Sequence, residues 1–169
     1  MAERDLRVAV YPGSFDPVTL GHLNIIQRAR RLVGRLVVGV GANIEKQALF
    51  DPDERVHLLR AVTRDMDNVE VEAFEGLAVD YVRQKGSRVI IRGVRPLADM
   101  PAEFTIVMAN RQLDEDIETV LLMADEEYAH VSSSFVRQIT PLASDEKLAR
   151  FLPREIIPEL RAKMAAAGG

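Results

Sequence analysis

The stretch Tyr11-Pro12-Gly13-Ser14-Phe15-Asp16-Pro17-Val18-Thr19-Leu20-Gly21-His22 follows directly on the first apolar run of the chain. Gly13 suits a tight turn after a strand. Gly21 and His22 fall where a helical pattern begins, and free N–H groups and the helix dipole attract anions there. Gly21 lets backbone approach a ligand closely, and the His22 imidazole adds a directed N–H for a phosphate oxygen. A second cluster, Arg92-Gly93-Val94-Arg95, sets two guanidinium groups around a glycine. Such forks match phosphate geometry. A third, Tyr128-Ala129-His130-Val131-Ser132-Ser133-Ser134-Phe135-Val136-Arg137, places a serine run ahead of a helical pattern. It reads as an N-cap, and hydroxyls with free amides at a helix start also cradle phosphate. Singly, each feature has a bland reading: a surface histidine, solvated arginines, a capping serine. Jointly they describe a site for a polyanion. The chain has no Gly-x-x-x-x-Gly-Lys-Ser/Thr loop, no complete Gly-x-Gly-x-x-Gly fingerprint, no nucleophile elbow and no His-Glu-x-x-His pair.

The elements that must position these groups are legible as an alternation. Short β-branched runs occur at Arg7–Tyr11, Leu36–Gly41, Val69–Phe74, Arg88–Ile91 and Thr119–Met123. Between them lie helical patterns. Leu23, Ile26, Ala29 and Val33 make one apolar face, and Asp51-Pro52-Asp53-Glu54 reads as an N-cap, a first-turn proline and first-turn acids. Further helices are expected from about Leu77 to Lys85, stopped by Gly86, and from about Ala102 to Leu113. Strand alternating with helix predicts an α/β, Rossmann-like fold: an open parallel five-stranded sheet with helices on both faces. The runs are nearly all apolar, as strands covered on both faces must be. After Pro141 the pattern is helical, with a last helix from Phe151-Leu152-Pro153 fraying into Ala165–Gly169. No linker or repeat divides the chain, so residues 1–169 are expected to form one domain, with about 142–169 its helical C-terminal extension. In such a sheet ligands bind beyond the carboxyl ends of the strands, which is where all three clusters fall.

Composition narrows the classes. At 169 residues the chain suits a single domain that needs no disulfide or metal to hold its core. With 22 Lys and Arg against 26 Asp and Glu the net charge is −4, which speaks against a nucleic-acid-binding domain. Apolar residues make up 47% of the chain, which excludes the disordered class. The absence of cysteine removes disulfide scaffolds, thiolate nucleophiles and cysteine metal sites. No signal-like h-region or membrane-length apolar run is present, so a soluble, cytoplasmic protein without membrane partners is expected.

The first cluster resembles the nucleotidylyltransferase superfamily, whose members carry His-x-Gly-His or Thr-x-Gly-His. Within it, Tyr-Pro-Gly-Ser-Phe-Asp-Pro-x-Thr-x-Gly-His is similar to the bacterial phosphopantetheine adenylyltransferase family, and the likeness runs from Val8 to about Leu160. The resemblance implies adenylyl transfer from ATP to 4′-phosphopantetheine, giving dephospho-coenzyme A and pyrophosphate in coenzyme A biosynthesis. It implies His22, Ser14, Lys46 and Arg95 as catalytic residues. His22 and Ser14 would meet the α-phosphate, and Arg95 with Ser132, Ser133 and Ser134 the β- and γ-phosphates. ATP contacts would come from Ser14, Phe15, His22, Gly93, Val94, Arg95, Glu103 and the stretch Tyr128, Ala129, His130, Val131, Ser132, Ser133 and Ser134. Phosphopantetheine would be held by Ser14, Lys46, Ala78 and Arg92. The resemblance further implies Mg²⁺ bridged by phosphates with no protein ligands, a homohexamer, and feedback by coenzyme A.

The chain departs from that family in two places. Met100-Pro101-Ala102 stands between Asp99 and Glu103 where the family has Phe-Glu-Tyr, and Ile44 and Gln47 replace a proline and a second lysine around Lys46. Two other readings stay open at this point. One is a sister transferase acting on nicotinamide mononucleotide or a glycerol phosphate. The other is a nucleotide sensor that keeps the fold without the chemistry. His57 is expected to be solvated on the polar side of its helix.

Overall fold

The computed structural model describes residues 7–42, 47–95 and 99–168. Five strands form one sheet: β1 (Val8–Gly13), β2 (Arg35–Gly41), β3 (Val69–Phe74), β4 (Val89–Val94) and β5 (Glu118–Met123). Helices α1 (Leu20–Ala29), α2 (Pro52–Thr63), α3 (Ala78–Gln84) and α4 (Met100–Leu113) connect them. Helices α5 (Ser133–Ile139), α6 (Asp145–Leu148) and α7 (Ile157–Ala167) follow the last strand. The order is β3-β2-β1-β4-β5, with every neighbouring pair parallel. The strand order therefore reverses between β1 and β4, and a crevice opens there, outside their carboxyl ends. The first two sequence clusters leave the sheet at those two strands.

Burial follows the strand period of two. Ala9, Tyr11, Leu36, Val38 and Ile91 join the core built with α1, α2 and the C-terminal helices, while Val10, Val37 and Ile90 pack on Val79, Tyr81 and Val82 of α3. Both faces of the central strands are thus covered. The edges are not. β3 alternates Val69-Glu70-Val71-Glu72 with only Val71 buried, and β5 keeps Val120 and Met123 exposed. The reading of all five runs as covered on both faces holds for β1, β2 and β4 only.

Element ends follow local chemistry. Asp51 caps α2 in a reciprocal box, its carboxylate accepting from the Glu54 N–H while the Glu54 carboxylate accepts from the Asp51 N–H, each at 2.8 Å. Gly86 takes the left-handed φ of 68° that ends α3. α1 stops at Ala29, and its buried residues are Asn24, Ile25, Ile26 and Ala29, so Leu23 lies beside the core-facing stripe and Val33 beyond the helix. α4 begins two residues before the expected Ala102, because Pro101 fits a first helical turn, whose N–H groups have no intrahelical partner. The last helix begins later than Phe151. A 3-10 turn at Arg154–Ile156 comes first, and α7 starts at Ile157 with Pro158 in its first turn.

Candidate active site

Thr19 starts the site. It is the N-cap of α1, its side-chain oxygen accepting from the His22 N–H at 3.3 Å. His22, at the third helical position, closes the other half of the box. Its Nδ1 accepts from the Thr19 N–H at 3.0 Å and lies 3.0 Å from the Thr19 hydroxyl. Nδ1 is therefore the acceptor nitrogen, and the proton of the neutral ring resides on Nε2. Burial, then the positive charges of Arg95 and Arg92, push the His22 pKa down to about 4. At neutral pH the ring is an uncharged N–H donor held in one tautomer.

Phe15 supports that ring. Its side chain is 1% exposed and stacks edge-on to His22, with centroids 5.0 Å apart, and to Tyr11, with centroids 5.2 Å apart. Its φ of 49° is in the left-handed region, costly for a residue with a side chain and maintained by this packing. Gly13 is not the bend. It is the last residue of β1, and a Cβ there would lie 2.9 Å from the Phe15 ring.

β4 delivers the arginines already oriented. Arg92 forms a bidentate pair with Glu103, Nε and Nη2 each 2.8 Å from a carboxylate oxygen, and donates from Nη1 to the Pro12 carbonyl at 3.3 Å. Arg95 donates from Nε to Asp99 at 2.8 Å and from Nη1 to the Val131 carbonyl at 3.2 Å. Both carboxylates come from the start of α4. Each guanidinium keeps N–H groups to spare for a ligand, since it carries five in all. Gly93 is dictated by packing: a Cβ would sit 2.8 Å from Ile25 of α1 and 3.3 Å from the Tyr11 hydroxyl. Burial raises the Tyr11 phenol well above its ordinary pKa, so it stays neutral.

These groups line one cleft of about 610 Å³. Ser14, Phe15 and His22 enter it from the first loop and α1, Arg92, Gly93 and Val94 from β4, Arg95 from just beyond that strand, and Glu103 from α4. Ala78 lines the end nearest α3, and Val131 with Ser132–Ser134 the side nearest α5. Ser132 caps α5, accepting from the Phe135 N–H at 3.1 Å. Tyr128, Ala129 and His130, expected on the nucleotide, do not line the cleft. Tyr128 and Ala129 belong to a 3-10 turn and its cap, and the exposed His130 meets Phe151 edge-on. Lys46 lies outside the described residues. His57 is exposed and pairs with Glu159 at 3.5 Å. Among the described residues no three or more His, Asp or Glu side chains gather to hold a metal.

Sequence reasoning missed Tyr11, Phe74 and Asn110, which also line the cleft. Tyr11 heads the first motif but received no role of its own, and Phe74 was read only as the end of β3. Tyr11 packs on Phe15 and Phe74 on Tyr81, each across the turn that leaves a strand, and no periodicity marks such ring contacts. Thr19 did carry a signal: a hydroxyl residue three before a polar side chain is the capping-box spacing.

Comparison with known proteins agrees with this geometry. A family model described as cytidylyltransferase-like matches residues 10–139. The chain is similar to the phosphopantetheine adenylyltransferase of Rhodopirellula baltica, 59% identical over 160 residues that cover 94% of this chain and 89% of the relative. It is 45% identical to that of Clostridium botulinum over 159 residues, covering 94% and 96% of the two chains. Among solved structures it is similar in fold to a nicotinic acid mononucleotide adenylyltransferase of Plasmodium falciparum, with a TM-score of 0.67 at 12% identity, covering 90% of this chain and 93% of that one. A nicotinate-nucleotide adenylyltransferase from Vibrio parahaemolyticus gives a TM-score of 0.62 at 16% identity and 94% coverage of both chains. From the family match and the identity to these relatives, the chain belongs to the phosphopantetheine adenylyltransferase branch of the cytidylyltransferase-like family.

Proposed function

We propose that this cleft transfers the adenylyl group of ATP to 4′-phosphopantetheine, releasing dephospho-coenzyme A and pyrophosphate. The observation that carries the reading is the neutral, tautomer-fixed His22 sharing one cleft with two oriented arginines and a serine run. The attacking group is a phosphate oxygen already on the acceptor, so no protein base or nucleophile is required. The P–O bond to the acceptor forms at the α-phosphorus as the bond to the β-phosphate bridging oxygen breaks, in line and without a covalent enzyme intermediate.

Each residue has a part in that step. The His22 Nε2–H and the Ser14 hydroxyl face charge developing on the α-phosphoryl oxygens. Lys46 and Arg92 hold the acceptor phosphate. Arg95 and Ser132–Ser134 receive the leaving pyrophosphate, and Ala78 borders the acceptor arm. Phe15, Gly93, Val94, Glu103 and Val131 shape the nucleotide side. Holding two polyanions in line supplies roughly 7–11 kcal/mol in favourable cases. A well-placed donor to developing charge is worth about 2.7–4 kcal/mol. The cleft carboxylates Asp99 and Glu103 are both engaged by arginines, so the donor set fits Mg²⁺ only as an ion held by phosphate oxygens and water, its usual manner. Bound so, it would neutralise phosphate charge.

No helix of the described residues is long and apolar enough to cross a membrane. The exposed apolar face of α4 and the open edge of β5 support self-association, with a homohexamer as the assembly the resemblance implies. Coenzyme A, sharing the acceptor arm, fits as a feedback ligand of the same cleft.

The test is acceptor-dependent pyrophosphate release with ATP and Mg²⁺. Release is expected with 4′-phosphopantetheine and not with nicotinamide mononucleotide or glycerol 3-phosphate. Release with either of those instead would overturn the acceptor assignment, and ATP binding without release would favour a sensor.

A further inference from the structure

Asp16 is the one carboxylate of the first motif, and this reading leaves it without a part. It is 6% exposed, and its carboxylate sits where three segments meet. It accepts from the backbone N–H of Leu49 at 2.8 Å and of Phe50 at 2.9 Å, in the segment leading into α2. It also accepts from Arg137 Nη1 of α5 at 2.9 Å, and that nitrogen reaches the Asp16 carbonyl at 3.1 Å. The neighbouring contacts converge on the same point. The Ser133 hydroxyl donates to the Pro17 carbonyl at 2.8 Å, and the buried Arg55 donates to the Ser14 carbonyl at 2.8 Å. A recess of about 60 Å³ between these groups is lined by Ser14, Ser133 and Ser134 together with Asp16, Arg55 and Arg137.

A largely buried ion pair is a poor device for stability. Desolvating both charges offsets much of their attraction, and an apolar pair of similar volume often serves as well or better. What such a pair does supply is geometry. Here one carboxylate, with its lone pairs shared between two amides and a guanidinium, fixes the first loop, the approach to α2 and α5 relative to one another. The groups that depend on that spacing are Ser14 and Ser133–Ser134, which line both this recess and the cleft.

We propose that Asp16 is a positioning residue for phosphate handling. Through the Leu49 and Phe50 amides and through Arg137, it sets the separation between the first loop and the serine run. The proposal rests on the adenylyl-transfer reading for its kinetic consequence, but not for its structural one.

The test uses the full chain as Asp16→Asn, Arg137→Gln and Arg137→Lys, with folding checked by circular dichroism. Asp16→Asn removes the charge pair and keeps one acceptor. It is expected to fold, to exchange the Leu49 and Phe50 amide hydrogens faster, and to bind ATP roughly tenfold more weakly, with kcat/KM down about 10- to 100-fold, the scale of an ångström-sized misplacement. Arg137→Gln should show the kinetic loss without the faster exchange, and Arg137→Lys, which keeps a cation at Asp16, should recover most of it. A purely structural role would lower the melting temperature without separating Lys from Gln. Unchanged kcat/KM and ATP affinity in folded Asp16→Asn would overturn the proposal. Should Asp16→Asn fail to fold, Arg137→Gln decides: unchanged kinetics and ATP affinity overturn it, and a loss recovered by Arg137→Lys supports it. Should the wild-type chain leave 4′-phosphopantetheine unmodified, the adenylyl reading fails by itself. ATP affinity and amide exchange, which need no acceptor, still decide for or against Asp16.

Discussion

His22 shows how one side chain is made fit for its part by its neighbours. Thr19 binds its Nδ1, Phe15 packs its ring, and burial, with Arg95 and Arg92, discourages its protonation. His22→Ala should lower kcat by roughly 10²–10³ with the fold retained, because it removes a transition-state donor. Steady-state kinetics beside a melting curve checks this, and near-normal kcat would remove His22 from the reaction. The depressed pKa also makes a stability prediction. The unfolded chain takes up this proton near the ordinary value of 6.5, the folded chain only near 4, so between those values the unfolded state binds more protons. The contribution is fully present above about pH 6.5 and is lost as pH falls toward 4. Denaturant titrations across that window should show a shallower pH dependence in His22→Gln than in the wild type. Lys46, outside the described residues, is tested by function: Lys46→Ala should raise KM for phosphopantetheine more than for ATP, and equal effects would mean it serves neither substrate in particular.

Elements place these side chains by close packing, and Gly93 is the glycine of the cleft arginine cluster that tolerates least. β4 passes α1 so closely that Gly93→Ala must displace Ile25 and crowd the Tyr11 hydroxyl. A loss of about 1–3 kcal/mol is expected, as for overpacked cores, together with weaker ATP binding, since Gly93 lies in β4 between Arg92 and Arg95, which follows the strand. Thermal unfolding and calorimetric titration check the two effects; an unchanged melting temperature would show that the strand can shift freely. The same scale explains what the sequence could and could not reveal. The strands, the box at Asp51–Glu54 and the three phosphate clusters each announce themselves through local spacing. The engagement of Asp16 by Arg137, 121 residues away, leaves no such trace. Nor does the pairing of Arg92 with Glu103, although both residues drew notice separately. The start of α4 was misplaced because Pro101 can open a helix as readily as it can precede one.

At the scale of the whole molecule the sheet is covered in its middle and bare along β5. α4 contributes no buried residue, and Phe104 is 60% exposed, with Met108 at 52% on the same helix and Met123 of β5 at 62%. An open edge strand beside an exposed apolar helix is a surface that proteins ordinarily cover. α4 also supplies Asp99 and Glu103, the partners of both cleft arginines, so a contact on its outer face would steady the site from behind. Phe104→Glu is expected to shift the protein to smaller species in sedimentation velocity; an unchanged distribution would place the assembly contact elsewhere. Composition alone did not anticipate this surface, because an apolar residue bound for a core and one bound for another copy of the chain look alike in sequence.

The central claim is that the adenylyl group itself moves to the acceptor. The direct measurement is to incubate the protein with ATP labelled at the α-phosphate, Mg²⁺ and 4′-phosphopantetheine, and to follow the label. The account predicts that it appears in dephospho-coenzyme A in step with pyrophosphate, and that none is retained covalently on the protein. Label found as protein-bound AMP, or released as free AMP with the acceptor unmodified, would contradict it.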